Sequence, residues 1–225
     1  MASFEQHVNT AVIVTGMVVI PIHLAGILDT TQSIVALALG LIGGVLPDLD
    51  SSSSKPVQIV FKMISIFFPL MLLLSIRYHF SLIQLILAWV LITVFLHLTF
   101  FKIFLKITRH RGIFHTIPMG ILFAQITAYS FYYFGYYNLT KATILGGFVL
   151  LGFLVHLLLD EIFSINALGM TMKKSFGTAF KFYDKKNMFG TLILYLLIGA
   201  IFYTIPFHEN TFEHIFNVLK NVKII

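Results

Sequence analysis

Residues 142–163 read ATILGGFVLLGFLVHLLLDEIF, a stretch with no Lys or Arg that meets its first carboxylate only at Asp160. About 20 apolar residues in a helix cross a bilayer core of roughly 30 Å, so a run of this length and character is one membrane crossing. Its two anomalies, His156 and Asp160, are four apart and share one helical face, one turn from each other. An Asp deep in a membrane helix costs about 2.5–3.5 kcal/mol on insertion scales, so something must compensate its charge. The run therefore sets the fold and raises a question of chemistry.

The rest of the chain is of the same kind. Of its 225 residues, 58% are apolar, 24 are Phe and only 11% are charged, where a soluble domain carries about 25% charged residues. That excludes a conventional soluble globule and a disordered chain. The net charge of +6 does not make a nucleic-acid-binding module, because the 15 Lys and Arg are scattered between long apolar runs. No nucleic-acid partner is expected. The chain has no Cys, which removes disulfide scaffolds, thiolate metal sites and cysteine nucleophiles. The opening MASFEQHVNT has no Lys or Arg and carries Glu5. A cleavable signal wants a basic start, so the first apolar run reads as retained.

Seven runs are long or apolar enough to be considered as spans: 8–28, 32–46, 57–76, 80–101, 115–135, 142–163 and 190–207. Barrel strands would alternate in polarity, and these do not. The expected fold is all-α, a polytopic transmembrane bundle of about five to seven membrane helices forming one domain over 1–225. The second run is short and holds Gly40, Gly43 and Gly44, so it is tilted, broken or packed tightly against a neighbour. The third contains Lys62 and Pro69. Residues 164–189 form the longest polar stretch, a basic segment to which the sequence assigns no structure. If each run crosses once, one side carries Lys55, Lys102, Lys106, Arg109, Arg111, Lys173, Lys174, Lys181, Lys185 and Lys186. The other carries Arg77, Lys141, Lys220 and Lys223. The positive-inside rule puts the richer side in the cytoplasm.

The polar residues at the mouths of the runs fall on that richer side. GGVLPDLDSSSS ends a run with Asp48 and Asp50, RHRGIFHTIP places His110 and His115 at the start of another, and His7 stands just ahead of the first. Pro47 ends or turns the helix before the two acids. In an extended turn these could each bind an ion, bridge two, or be solvated interfacial groups. His110 and His115, five apart with Gly112 between, need a loop that turns at the glycine to aim both inward. Arg111 between them is a planar donor fork suited to phosphate or carboxylate, or a positive-inside anchor. For His156 and Asp160 the alternatives are a shared divalent cation and a plain hydrogen bond between helices. Glu161 points roughly 100° away from Asp160. His23, His79, His97, His208 and His214 read as interfacial or structural. The stripe Phe131, Tyr132, Tyr133, Phe134, Tyr136 and Tyr137 reads as an aromatic belt.

Four His and three Asp are close to the imidazole–carboxylate sets that hold zinc, manganese or iron. Such ions lower the pKa of a bound water and polarise a phosphoryl or acyl oxygen. No G-x-S-x-G elbow or Gly-rich phosphate loop is present, which argues against hydrolases of those kinds.

An early His, then LPDLD, then HRGIFHT, then HLLLD, each beside an apolar run, resembles the YdjM-type family of inner-membrane metal-dependent hydrolases. The likeness extends from residue 7 to about residue 180, and the stretch DEIFSINALGMTMKKSFGTAFKF looks like one of its subgroups. The resemblance implies metal ligation by His7, Asp48, Asp50, His110, His115, His156 and Asp160, with one to three divalent ions, zinc first and manganese or iron as alternatives. It also implies that Arg111 steers an anionic substrate. A distant similarity of that family to zinc-dependent phospholipase C and P1-type nucleases would favour phosphoester hydrolysis. Ser51 stands where a His often follows LPDxD, and Phe114 replaces a small polar residue.

The expectation is a hydrolase whose site opens at the cytoplasmic membrane face. Its substrate would be a lipid or lipid-linked phosphoester, held by Arg111 with Lys173 and Lys174, and Asp48 or Asp50 would take up a proton. The alternative is a metal-stabilised membrane scaffold or regulator whose basic segment binds acidic lipid or a protein partner. A transporter would need more polar groups near the midplane than Lys62, His97 and Gln125 supply.

Overall fold

The structure is a computed structural model that describes residues 3–50, 62, 65, 66, 69, 70, 73, 80–100, 112–135, 137–166, 171–172 and 180–205, with 49, 50, 100, 165, 166, 171 and 172 described by backbone alone. The chain divides into two compact units, one formed by 1–47 and 111–225, the other by 48–110.

The first unit is built on two antiparallel helical hairpins. Helix α1, Phe4–Leu24, opens on a capping box: Ser3 Oγ accepts from the Gln6 N–H at 3.2 Å, and Gln6 Oε1 accepts from the Ser3 N–H at 2.7 Å. Helix α2, Thr30–Val45, repeats the device with Asp29 and Gln32. Each box satisfies backbone donors that a helix start leaves open. Between them the chain reverses at Gly26, whose φ of 71° suits a residue without a Cβ. His23 closes the turn. Its Nδ1–H reaches Leu28 O and Ser33 Oγ, both at 3.1 Å, while the Ser33 hydroxyl donates to Asp29 O. This is the structural role expected for His23.

The second hairpin joins helices Ile117–Tyr133, capped by Thr116, and Leu139–Ile162, capped by Asn138. In chain order they are α4 and α5, because α3 belongs to the other unit. Helix α5 is the axis of the unit. It packs on α1, α2 and α4, and Phe148, Val149, Phe153 and Leu157 are buried along it. Helix α6, Met188–Thr204, lies against α4, where Tyr133 Oη donates to Thr204 O at 2.9 Å. Within the polar segment two short features are described. Ile165–Asn166 and Thr171–Met172 form a two-residue antiparallel ladder, and the Ile117 N–H donates to Lys181 O at 2.8 Å.

Glycines let the central helices touch. A Cβ on Gly43 would strike Val149 O, and one on Gly152 would strike Gly40 O and come within 2.8 Å of Gly44 N. Without a hydrophobic force between helices inside lipid, close van der Waals packing at small residues holds them together. Of the readings open for the short second run, tight packing is the one observed.

In the second unit, α3, Leu82–Phe95, begins at a Ser81–Gln84 capping box and continues as a π-helical turn, Leu96–Phe100. Lys62, Ser65, Ile66, Pro69, Leu70 and Leu73 are also helical, and Trp89 Nε1 donates to Ile66 O at 3.0 Å. No residue of α3 is buried. Leu85, Ala88, Trp89, Ile92 and Thr93 form a half-buried face and the remaining apolar side chains are exposed, the pattern of a membrane span that meets lipid on one side.

Among the described residues, four helical stretches are long and apolar enough to cross a bilayer: Phe4–Leu24, Thr30–Asp48, Leu82–Thr99 and Leu139–Ile162. Met188–Thr204 is a shorter apolar helix. The all-α membrane bundle is thus the observed fold class. Most of the 57–76 run lies outside the described residues.

Replacing Gly152 by Ala should cost about 1–3 kcal/mol, the scale of overpacking a filled interior. Gly147→Ala meets nothing within 4 Å and should be neutral or mildly stabilising. Unfolding of the detergent-purified variants measures both.

Candidate metal centre

Three helix ends of the first unit bring polar side chains to one place. His7 lies in the second turn of α1. The apolar pattern placed it just ahead of the first span, but the Ser3–Gln6 box starts the helix earlier, so His7 projects from a fixed backbone. His115 closes a short 3-10 turn, Ile113–His115, immediately before the Thr116 cap of α4. Gly112 precedes that turn as a bend, which delivers His115 inward as expected. His156 and Asp160 lie one turn apart on the buried face of α5. Their relative exposures are 3% for His7, 1% for His115, 1% for His156 and 2% for Asp160.

Asp160 is the hub. Its Oδ1 is 3.5 Å from His7 Nε2, and its Oδ2 is 4.0 Å from His115 Nε2. Both separations exceed the 2.7–2.9 Å of a charge-assisted hydrogen bond. The His7 and His156 rings stack, with centroids 3.7 Å apart and planes 9° from parallel, and His115 meets His156 edge-on at 5.7 Å. His156 Nδ1 lies 2.7 Å from Gly44 O. A carbonyl only accepts, so the proton is on Nδ1 and the ring's lone pair is on Nε2. Ligating histidines are commonly oriented in this way, through the nitrogen that does not face the ion.

These residues fit a divalent cation. His7, His156 and Asp160 each offer a ligand atom, all within 4.8 Å of one another. Tetrahedral zinc with bonds of 2.0–2.1 Å spaces its donors about 3.4 Å apart, close to the present His7–Asp160 distance. His7 Nδ1 is buried and has no hydrogen-bond partner among the described residues.

The other predicted residues stand differently. Asp48 begins the second unit and is half-buried, in a 3-10 turn, Leu46–Asp50, that follows α2 directly. The extended turn expected there is replaced by helical backbone, a frequent ending for an α-helix, and Pro47 is tolerated early in it because no internal donor is lost. Asp50 is in the same turn, its side chain outside the described residues. His110, Arg111, Lys173 and Lys174 also lie outside them. The Gly44 carbonyl was missed by reasoning from side chains. Its signal was the Gly43–Gly44 pair in the last turn of α2, which opens the backbone to a neighbour.

An early helix His, a Pro-containing acidic turn after the second helix, a His at the mouth of α4 and an H-x-x-x-D pair on α5 now stand as one pattern. The profile of the YdjM inner membrane protein family matches residues 1–208. The chain belongs to this family. No curated protein and no solved structure gives a significant match. Membership makes it an inner membrane protein, in accord with its apolar helices.

The tautomer is testable on its own. Nitrogen NMR of ¹⁵N-histidine-labelled protein should assign His156 as the Nδ1–H form. A proton on Nε2 would contradict the bond to Gly44.

Proposed function

We propose that this YdjM-family protein is a metal-dependent hydrolase acting on a phosphoester, lipid or lipid-linked, at the cytoplasmic membrane face. The observation that carries the proposal is the convergence of three imidazoles and one carboxylate in an apolar bundle end, with His156 oriented through Gly44. A divalent ion held there, zinc by the donor set with manganese or iron as alternatives, would acidify a water and polarise the phosphoryl oxygen. His7, His115, His156 and Asp160 supply the first ligands, and the motifs add Asp48, Asp50 and His110 for up to three ions. Arg111, aided by Lys173 and Lys174, would hold the phosphate by charge and fork geometry. Asp48 or Asp50 would take up a proton. The cytoplasmic side follows from the ten basic residues that share these loops.

The depth of the cluster favours a second reading, in which the ion fixes helix packing and no turnover occurs. There the basic 164–189 segment binds acidic lipid heads or a protein partner.

Elemental analysis of detergent-purified protein is expected to find close to stoichiometric divalent metal, and Asp160→Asn or His156→Ala to lower metal affinity by tenfold or more. Hydrolysis of phospholipids or isoprenoid phosphates should then fall at least a hundredfold in a folded Asp160→Asn variant. Absence of metal ends both readings. Metal without any hydrolysis, together with a chelator-induced drop in melting temperature, selects the scaffold.

His23→Gln supplies a control within the same bundle. It should keep its metal content and lose about 1 kcal/mol of stability, the scale of one hydrogen bond, in the same binding and unfolding measurements.

A further inference from the structure

The second unit holds a cleft unrelated to the histidine cluster. It lies between α3 with its π-helical end and the helical residues around Ile66, has a volume of about 310 Å³, and is lined by Lys62, Ser65, Ile66, Thr93, Val94, His97 and Leu98. That volume is at the lower end for small-molecule sites. The wall is mostly carbon, yet four of these seven residues carry polar groups. Thr93 Oγ1 is buried with no hydrogen-bond partner among the described residues.

The level of the cleft in the membrane follows from the pairing of its helices. Trp89 bonds to Ile66, while the cleft joins Lys62 and Ser65 to Thr93 and His97. As numbers fall on one helix they rise on the other, so the two run antiparallel. Lys62 and His97 come at the same end, and His97 lies about one turn before the end of the 80–101 apolar run, where Lys102 follows. The polar groups of the cleft therefore lie toward the headgroup end of their helices, not near the midplane as expected for Lys62 and His97, and Ile66 and Trp89 lie deeper. A lysine stem can line such a wall while its ammonium reaches the interface.

The charge is one-sided. Residues 51–110 contain Lys55, Lys62, Arg77, Lys102, Lys106 and Arg109 and not one Asp or Glu. No carboxylate of that segment can neutralise Lys62, which is set in an apolar run. A cation in this setting is matched by an anion that arrives with its own hydrocarbon.

We propose that this cleft binds an anionic membrane lipid, its acyl chain along Ile66, Val94 and Leu98 and its phosphate on Lys62 and His97, with the Thr93 hydroxyl available to donate. The site takes the lipid as a bound ligand and is independent of the hydrolase reading.

Trp89 is the one tryptophan of the chain and lies one turn from Thr93, so it reports occupancy directly. Full-length protein in phosphatidylcholine vesicles is titrated with acyl-brominated phosphatidylglycerol or with acyl-brominated phosphatidylcholine. Quenching of Trp89 should show at least a fivefold preference for the anionic lipid. Lys62→Gln with His97→Gln should reduce the preference to less than twofold, and Lys62→Arg should keep it, which separates charge loss from misfolding. Chelation with EDTA should leave it unchanged, so failure of the metal site does not mimic failure of the cleft. Millimolar glycerol phosphate should not relieve quenching. Equal quenching by the two lipids, a preference that survives the double variant, or displacement by glycerol phosphate would each overturn the proposal.

Discussion

The hydrogen bond from His156 Nδ1 to Gly44 O can exist only because two helix backbones touch. A Cβ on Gly43 would strike the Val149 carbonyl and one on Gly152 the Gly40 carbonyl. Any larger residue would push α5 from α2 and carry His156 out of reach of the carbonyl. Asp160 would move with it, since both project from the same rigid face. The buried cluster thus depends on atoms that are missing, the β-carbons of a few glycines, as much as on the ligands themselves. Inside lipid there is little hydrophobic force to bring helices together, so this contact is also a principal source of cohesion for the bundle.

Much of this was legible in the sequence, for identifiable reasons. Apolar runs report spans because lipid forbids unsatisfied backbone, and the described helices fall on the expected runs. The i, i+4 pair on α5 declared its shared face because helical geometry leaves no other choice. His7 was placed outside its helix because hydropathy does not see a capping box. The backbone of the LPDLD turn was misread because Pro ends an α-helix but is welcome in the first turn of a 3-10 helix. The Gly44 carbonyl was invisible because backbone acceptors carry no letter of their own.

The sites described in the two units concentrate charge of opposite sign. In the first, three histidines gather their rings around a buried Asp. In the second, Lys62 stands in a stretch, residues 51–110, that holds six Lys and Arg and no Asp or Glu. Both follow from the same scarcity: nine acidic residues in 225 must be spent where the fold needs them.

The order in which the cluster is made also has a consequence. His7 is on a helix synthesised well before the helix that carries Asp160. Contacts so distant along the chain form late and slowly. Until α5 arrives, His7 waits without its carboxylate, and Asp160 enters the bilayer as a costly group whose partners are already in place. The cluster therefore acts as a proof of assembly: it closes only when the first, second, fourth and fifth helices have all taken their stations.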